Sequence, residues 1–206
     1  MSTWRFELTY HHGNLRAALL QAASDMVAES GPDALTLRAV ARQAGVSQTA
    51  PYRHFADKEE LLAEVAELGF ERLKAWLMNS LEGEEDPVER LHAVGRGYLT
   101  YAMANPHLFR LMFGPLVAKG EAYPDLESTC KEGFEILLGV IREGQQAGCL
   151  AEGNVEAMGM AAWSMVHGLA HLTIDGQMLL EKASAANEEA MGRMMGTFLI
   201  EGLRRR

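Results

Sequence analysis

The sequence predicts an all-α protein, with a three-helix head over residues 1–56 carried on a larger helical body over residues 57–206. Three observations support this. Apolar residues recur at helical spacing in one segment after another. Gly, Pro and capping side chains separate those segments, and none of them reads as a strand run. Residues 36–61, TLRAVARQAGVSQTAPYRHFADKEEL, place two short helical patterns around a glycine turn, as a helix-turn-helix does.

Each element has a local reason. The first helix is expected over 13–29, with Leu15, Leu19, Ala22, Ala23, Met26 and Val27 on one face and Ser30-Gly31-Pro32-Asp33 as its stop. Thr36 is an N-cap for a helix whose apolar positions are Leu37, Val40, Ala41 and Ala44. Gly45 ends that helix where positive φ is needed. Ser47 offers a further cap for a short helix over 48–55, in which Pro51 removes an early backbone donor. Asp57 caps a long helix reaching to about residue 81. Further helices fit 88–104, 106–113, 124–147, 155–179 and 187–203, with 114–123 as a loop and Gly148 as a stop.

Composition narrows the function. The 206 residues are 48% hydrophobic, enough for an ordinary packed core. Cys130 and Cys149, the two cysteines, have neither metal spacing nor a disulfide pattern, which suits a reducing cytoplasm. The N-terminus lacks the apolar stretch of a signal peptide, and no apolar run is long enough to span a membrane. The net charge of −9 is unevenly spread. Residues 1–55 carry five basic and four acidic side chains, and the remainder carries the acidity. The head is thus locally basic, as a nucleic-acid face requires.

The short second helix displays Gln48, Thr49, Tyr52, Arg53 and His54, with only Ala50 and Phe55 committed to packing. Gln can pair with adenine and Arg with guanine through two hydrogen bonds each, while Tyr and Lys donate to phosphates. A core helix would not concentrate such donors.

This segment resembles the TetR/AcrR family of bacterial transcriptional regulators. It shares the Thr-Leu opening, Gly-Val-Ser in the turn, Tyr-Arg-His-Phe at the close and the capped Lys-Glu start of the next helix. The resemblance extends over residues 10–68, and Trp163-x-x-x-His167-Gly168 resembles the family's WHG-type effector domain. It implies roughly nine helices and a double-stranded DNA operator as partner. Gln48, Thr49 and Arg53 would then face base edges. Tyr52, His54 and Lys58 would face phosphates, Arg38 either one, and Thr36 a phosphate at its helix start. Tyr10, His11, His12 and the terminal Arg204-Arg205-Arg206 are further candidates for backbone contact.

The resemblance also implies a homodimer through the last two helices and a body pocket for a small-molecule effector. Candidate wall residues are Tyr98, Tyr101, Phe109, Met112, Phe113, Phe134, Trp163, His167 and His171, with Met103 and Met165 beside them. Arg96 and Arg110 are the charged groups within reach, so a largely apolar ligand is expected, and Gly168→Leu is expected to fill the pocket. No cofactor or metal is called for. His167 and His171 do stand four residues apart, as two zinc ligands can. A helical metal-dependent enzyme is therefore the alternative, although no third ligand follows and a hydrogen-bonded core histidine explains His167 as well. Repression or activation by the same head is not decided by sequence.

Overall fold

The computed structural model describes residues 15–177 together with 194, 196–197 and 201–202. The chain forms α1 (Leu15–Ser30), α2 (Leu37–Gln43), α3 (Lys58–Ser80), α4 (Pro87–Ala104), α5 (Pro106–Met112), α6 (Pro124–Gln146) and α7 (Val155–Ile174). Among the described residues there is no strand. The arm at 10–12, most of 187–203 and residues 204–206 lie outside the described part. Of 187–203, the described residues 194, 196–197 and 201–202 are helical.

The caps are those that the side chains allow. Thr36 Oγ1 accepts from Ala39 N at 3.1 Å, Asp57 Oδ1 from Glu60 N at 2.9 Å, and Asn154 Oδ1 from Ala157 N at 2.7 Å. Asp86 Oδ1 accepts from both Val88 N and Glu89 N, with Pro87 at the first helical position. Helix α2 ends in a Schellman turn: Val46 N donates to Ala41 O, Gly45 N donates to Arg42 O, and Gly45 takes φ +69°.

Three expectations are corrected. The segment after the turn is not an α-helix. Residues 48–50 form a turn and Pro51–Arg53 a single 3₁₀ turn, because Pro51 has no N–H to donate and the bonds close over three residues instead, Ala50 to Ser47 and Arg53 to Ala50. The expected loop over 114–123 holds a kinked 3₁₀ stretch, Val117–Ala122. Helix α7 ends at Ile174 and not at 179, since Gly176 at φ +64° closes it.

Helix α3 is the pillar of the fold. It packs against α1, α4, α5 and α6, and one contiguous apolar cluster runs from Leu19, Val40 and Phe55 in the head to Phe109, Ile141 and Ala170 in the body. Where α3 meets α4 and α5, Tyr101 Oη donates to Gly69 O at 2.7 Å, and a Cβ on Gly69 would stand 2.7 Å from Met112 Sδ. Burial pushes the Tyr101 hydroxyl up to about 12. Tyr101 is thus a strut between helices. Tyr101→Phe is expected to destabilise the protein by about 0.5–1.5 kcal/mol, read as a lower urea midpoint with an unchanged slope.

Candidate nucleic-acid interface and body cavity

The head buries Leu37, Val40, Ala41, Ala50, Pro51 and Phe55, and this fixes what must point outward. Thr36, Arg38, Arg42, Gln48, Thr49, Tyr52 and Arg53 are exposed, Tyr52 by 54%. His54 is half-buried beside Phe55. Arg16 lies over the Phe55 ring and pairs with Glu64 of α3 at 2.5 Å, so α1, the turn and α3 are fastened together. Lys58 is half-buried and donates to Asp33 O at 3.2 Å, which ties the start of α3 to the α1–α2 connection.

Among the described residues, most body cations are engaged, whereas three arginines of the head are not. In the body, Lys74, Arg90, Arg110, Lys119, Lys131 and Arg142 each pair with a carboxylate, and Arg72 donates to Ser24 and Gln21. In the head, Arg38, Arg42 and Arg53 have no such partner among the described residues.

The body holds a partly open cavity of about 600 Å³ lined by α3, α4, α6 and α7, with Phe113 after α5 and Gly196 also on its wall. Tyr98, Phe113, Phe134 and Trp163 of the predicted wall line it, as does Met165. Tyr101, Phe109, Met112, His167 and His171 do not. Tyr101, Phe109 and Met112 are core residues at 0–2% exposure, packed behind the wall. Much of the wall is aliphatic: Leu73, Leu77, Leu91, Val94, Leu138 and Leu169. These aliphatic residues look like any core residue in a sequence, which is why aromatic residues alone do not reveal them. The available signal is Gly95, a glycine within α4 that lines the cavity and has open space where a Cβ would stand. Gly168 is exposed, faces open space and does not line the cavity, so Gly168→Leu would not fill it. Arg110 is also elsewhere, clasping Asp175 Oδ1 and Ile174 O at the end of α7.

His167 sits in an aromatic nest with Phe113 at 4.7 Å, Trp163 at 5.1 Å and His171 at 4.6 Å between ring centroids. Trp163 Nε1 donates to Tyr98 Oη at 3.2 Å, and Tyr98 Oη lies 2.8 Å from His167 Nδ1. The Tyr98 proton then goes to Nδ1, which leaves a neutral ring with its hydrogen on Nε2. Burial, and then the neighbouring His171, lower the His167 pKa to about 4. Burial drives the Tyr98 hydroxyl far above its ordinary range. The histidine pair is thus part of core packing, which does not favour the metal-enzyme reading.

The head and body define a helix-turn-helix DNA-binding transcriptional regulator. Residues 19–65 match the model of bacterial regulatory proteins of the tetR family, and residues 91–198 that of the tetracyclin repressor-like C-terminal domain. The chain belongs to the TetR family. The body match carries that general description, so the WHG subtype rests on Trp163, His167 and Gly168 alone. The nucleoid occlusion factor SlmA of Vibrio vulnificus (strain YJ016) is 35% identical over 102 residues, 49% of this chain and 52% of that protein. The chain therefore spans about half the length of such curated relatives. A solved structure of a protein with unknown function from Rhodococcus sp. RHA1 is 31% identical, with TM-score 0.83 over 97% of this chain and 100% of that one. The TetR family transcriptional regulator PfmR of Thermus thermophilus is 25% identical, with TM-score 0.65 over 91% of this chain and 99% of that one.

The histidine gives a pH signature. Between about 4 and the ordinary 6.5, the unfolded chain binds a proton that the folded His167 refuses. Its contribution to stability is full above pH 6.5 and is lost as pH falls toward 4. Glu64 and Glu67, whose carboxyls burial raises, act in the opposite sense. The melting temperature of His167→Asn should accordingly fall less steeply than wild type between pH 6.5 and 4. Parallel profiles would show that His167 is charged in the fold.

Proposed function

We propose that the chain is a homodimeric repressor that reads a palindromic operator and is released from it by a small molecule in the body cavity. The head carries the first part. Gln48, Thr49 and Arg53 stand exposed on the turn that follows the glycine, with Arg38 and Arg42 on the adjoining helix, and residues 36–58 hold four cations and one carboxylate, Asp57. In this reading Gln48, Thr49 and Arg53 meet base edges, and Tyr52, His54, Lys58, Arg38 and Thr36 position the phosphates. A regulator that reads chromosomal DNA works in the cytoplasm.

One 3₁₀ turn reaches few base pairs, so a dimer on two half-sites supplies the rest of the specificity. Support comes from α7, which exposes Ala157, Met160, Ala161, Ser164, Gly168 and Leu172 at helical spacing. These residues are apolar or small and allow a twin helix to approach closely. Gly159 is not among them: it is buried, and a Cβ there would run into Leu138 of α6.

Release would act through α3. Phe70, Leu73 and Leu77 of α3 line the cavity, and the Asp57 cap of the same helix adjoins the reading turn. A ligand that prefers the arrangement in which α3 is tilted weakens operator binding, and about 1–3 kcal/mol of coupling suffices.

Two outcomes are expected. Arg53→Ala should cost about 1–3 kcal/mol and relax discrimination at one operator position, whereas Lys58→Ala should weaken all sequences alike and lower the salt slope by about one. Binding isotherms on operator and scrambled duplexes over a salt series separate the two, and an unchanged slope removes Lys58 from the phosphate set. Leu172→Glu places a charge on the exposed α7 face and should shift the protein from dimer to monomer in sedimentation velocity, with loss of operator binding. A wild-type monomer at micromolar concentration would overturn the dimer.

A further inference from the structure

The cavity's charge pattern identifies the kind of molecule it takes. Of the Lys and Arg side chains on the described residues of α3 to α7, all but Arg96 are already engaged with a carboxylate or another acceptor. The Arg96 side chain has no hydrogen bond or ion pair among the described residues. It is exposed, yet it lines the cavity next to Gly95, where an added Cβ would meet no described atom within 4 Å. Two more cations on the lining, Lys131 and Arg142, are held by Glu127 and Glu135, each at 2.5 Å. The carboxylates on the lining are Glu135, engaged by Arg142, and Glu156 in the first turn of α7. The lining charges therefore sum to a small positive value in a chain whose net charge is −9. Behind them the wall is apolar, formed by Phe70, Leu73, Phe113, Phe134 and Trp163 among others.

We propose that the cavity binds an amphiphile with one apolar tail and one anionic head group, and that Arg96 receives the head. This rests on the reading of the cavity as the effector site and names the ligand class for it. A guanidinium left without a partner at the edge of an apolar chamber can give a carboxylate two parallel charge-assisted bonds. A cationic head would lose its hydration and meet the Arg96 charge. A neutral head can accept one hydrogen bond from Arg96 but leaves its charge unneutralised, and so gains less from it. The volume lies within the roughly 300–1,000 Å³ of pockets that enclose small ligands. Arg96 is a specificity-determining residue in this account. The tail supplies the affinity, by removing apolar surface from water.

The test compares three probes with one tail: decanoate, decanol and decyltrimethylammonium, each below its micelle-forming concentration. Binding to the DNA-free protein is followed by calorimetry and by Trp163 fluorescence. Decanoate should bind about tenfold tighter than decanol, the worth of a charge-assisted bond, and the cation weakest. The preference should shrink with added salt, because Arg96 is exposed. Arg96→Gln should abolish the preference of acid over alcohol, and Arg96→Lys should keep part of it. Gly95→Leu, which fills the open space beside Arg96, should weaken decanoate and decanol alike. Equal binding of acid and alcohol, a preference that survives Arg96→Gln, or no binding of any probe would each overturn the proposal. Decanoate that binds through Arg96 yet leaves operator affinity unchanged would overturn the release mechanism and leave the site standing.

Discussion

The structure depends on α3 remaining one unbroken helix. Its 23 residues span about 35 Å, from the reading turn to the far end of the body. Its cap ties it to the turn: Asp57 Oδ1 takes the Glu60 amide, and Glu60 reaches back to Ala56 N at 2.5 Å. Along its length it is gripped from every side. Arg16 of α1 holds Glu64, Tyr101 of α4 holds the Gly69 carbonyl, Lys74 pairs with Glu132 of α6, and Trp76 Nε1 reaches Thr100. Lys119 and Tyr123 both donate to Glu59 in its first turn. The release proposed above requires such a helix: a displacement at Phe70 or Leu73, on the cavity wall, would have to reach Asp57 at the head along one continuous element.

Most of the fold is legible in the sequence because its signals are local. Thr36, Asp57, Asp86-Pro87 and Asn154 mark helix starts by their own side-chain chemistry, and Gly45 and Gly148 mark stops by conformations that other residues avoid. The failures are also local. Pro51 signals the 3₁₀ turn, but in a sequence its missing donor reads as a minor irregularity, whereas in the fold it sets the whole hydrogen-bonding pattern of the segment. Gly176 closes α7 although apolar residues continue beyond it, so periodicity overruns the end.

The head's site is easier to foresee than the cavity. In a small domain with one core, whatever is polar and next to the turn is exposed, and Gln48, Thr49, Tyr52 and Arg53 are so placed. A cavity is a property of packing between distant helices. Tyr98 and Phe109 look alike in sequence, and their rings touch at 5.5 Å, yet one lines the chamber and the other stands behind it. Only the register of α4 against α5 and α7 decides which is which.

A single principle then reads both sites. An acidic chain has carboxylates in excess, so a cation without one among the described residues is the exception. Arg38, Arg42 and Arg53 are such cations on the head, where a polyanion would be neutralised by them and release its counterions. Arg96 is the cavity's cation without a partner among the described residues, where a chamber of leucines and aromatics adds an apolar requirement to the ionic one. The same unmet charge thus points to a nucleic-acid backbone in one place and to an amphiphile in the other. What distinguishes them is the surface beside the cation: polar donors and water at the head, an apolar wall in the body.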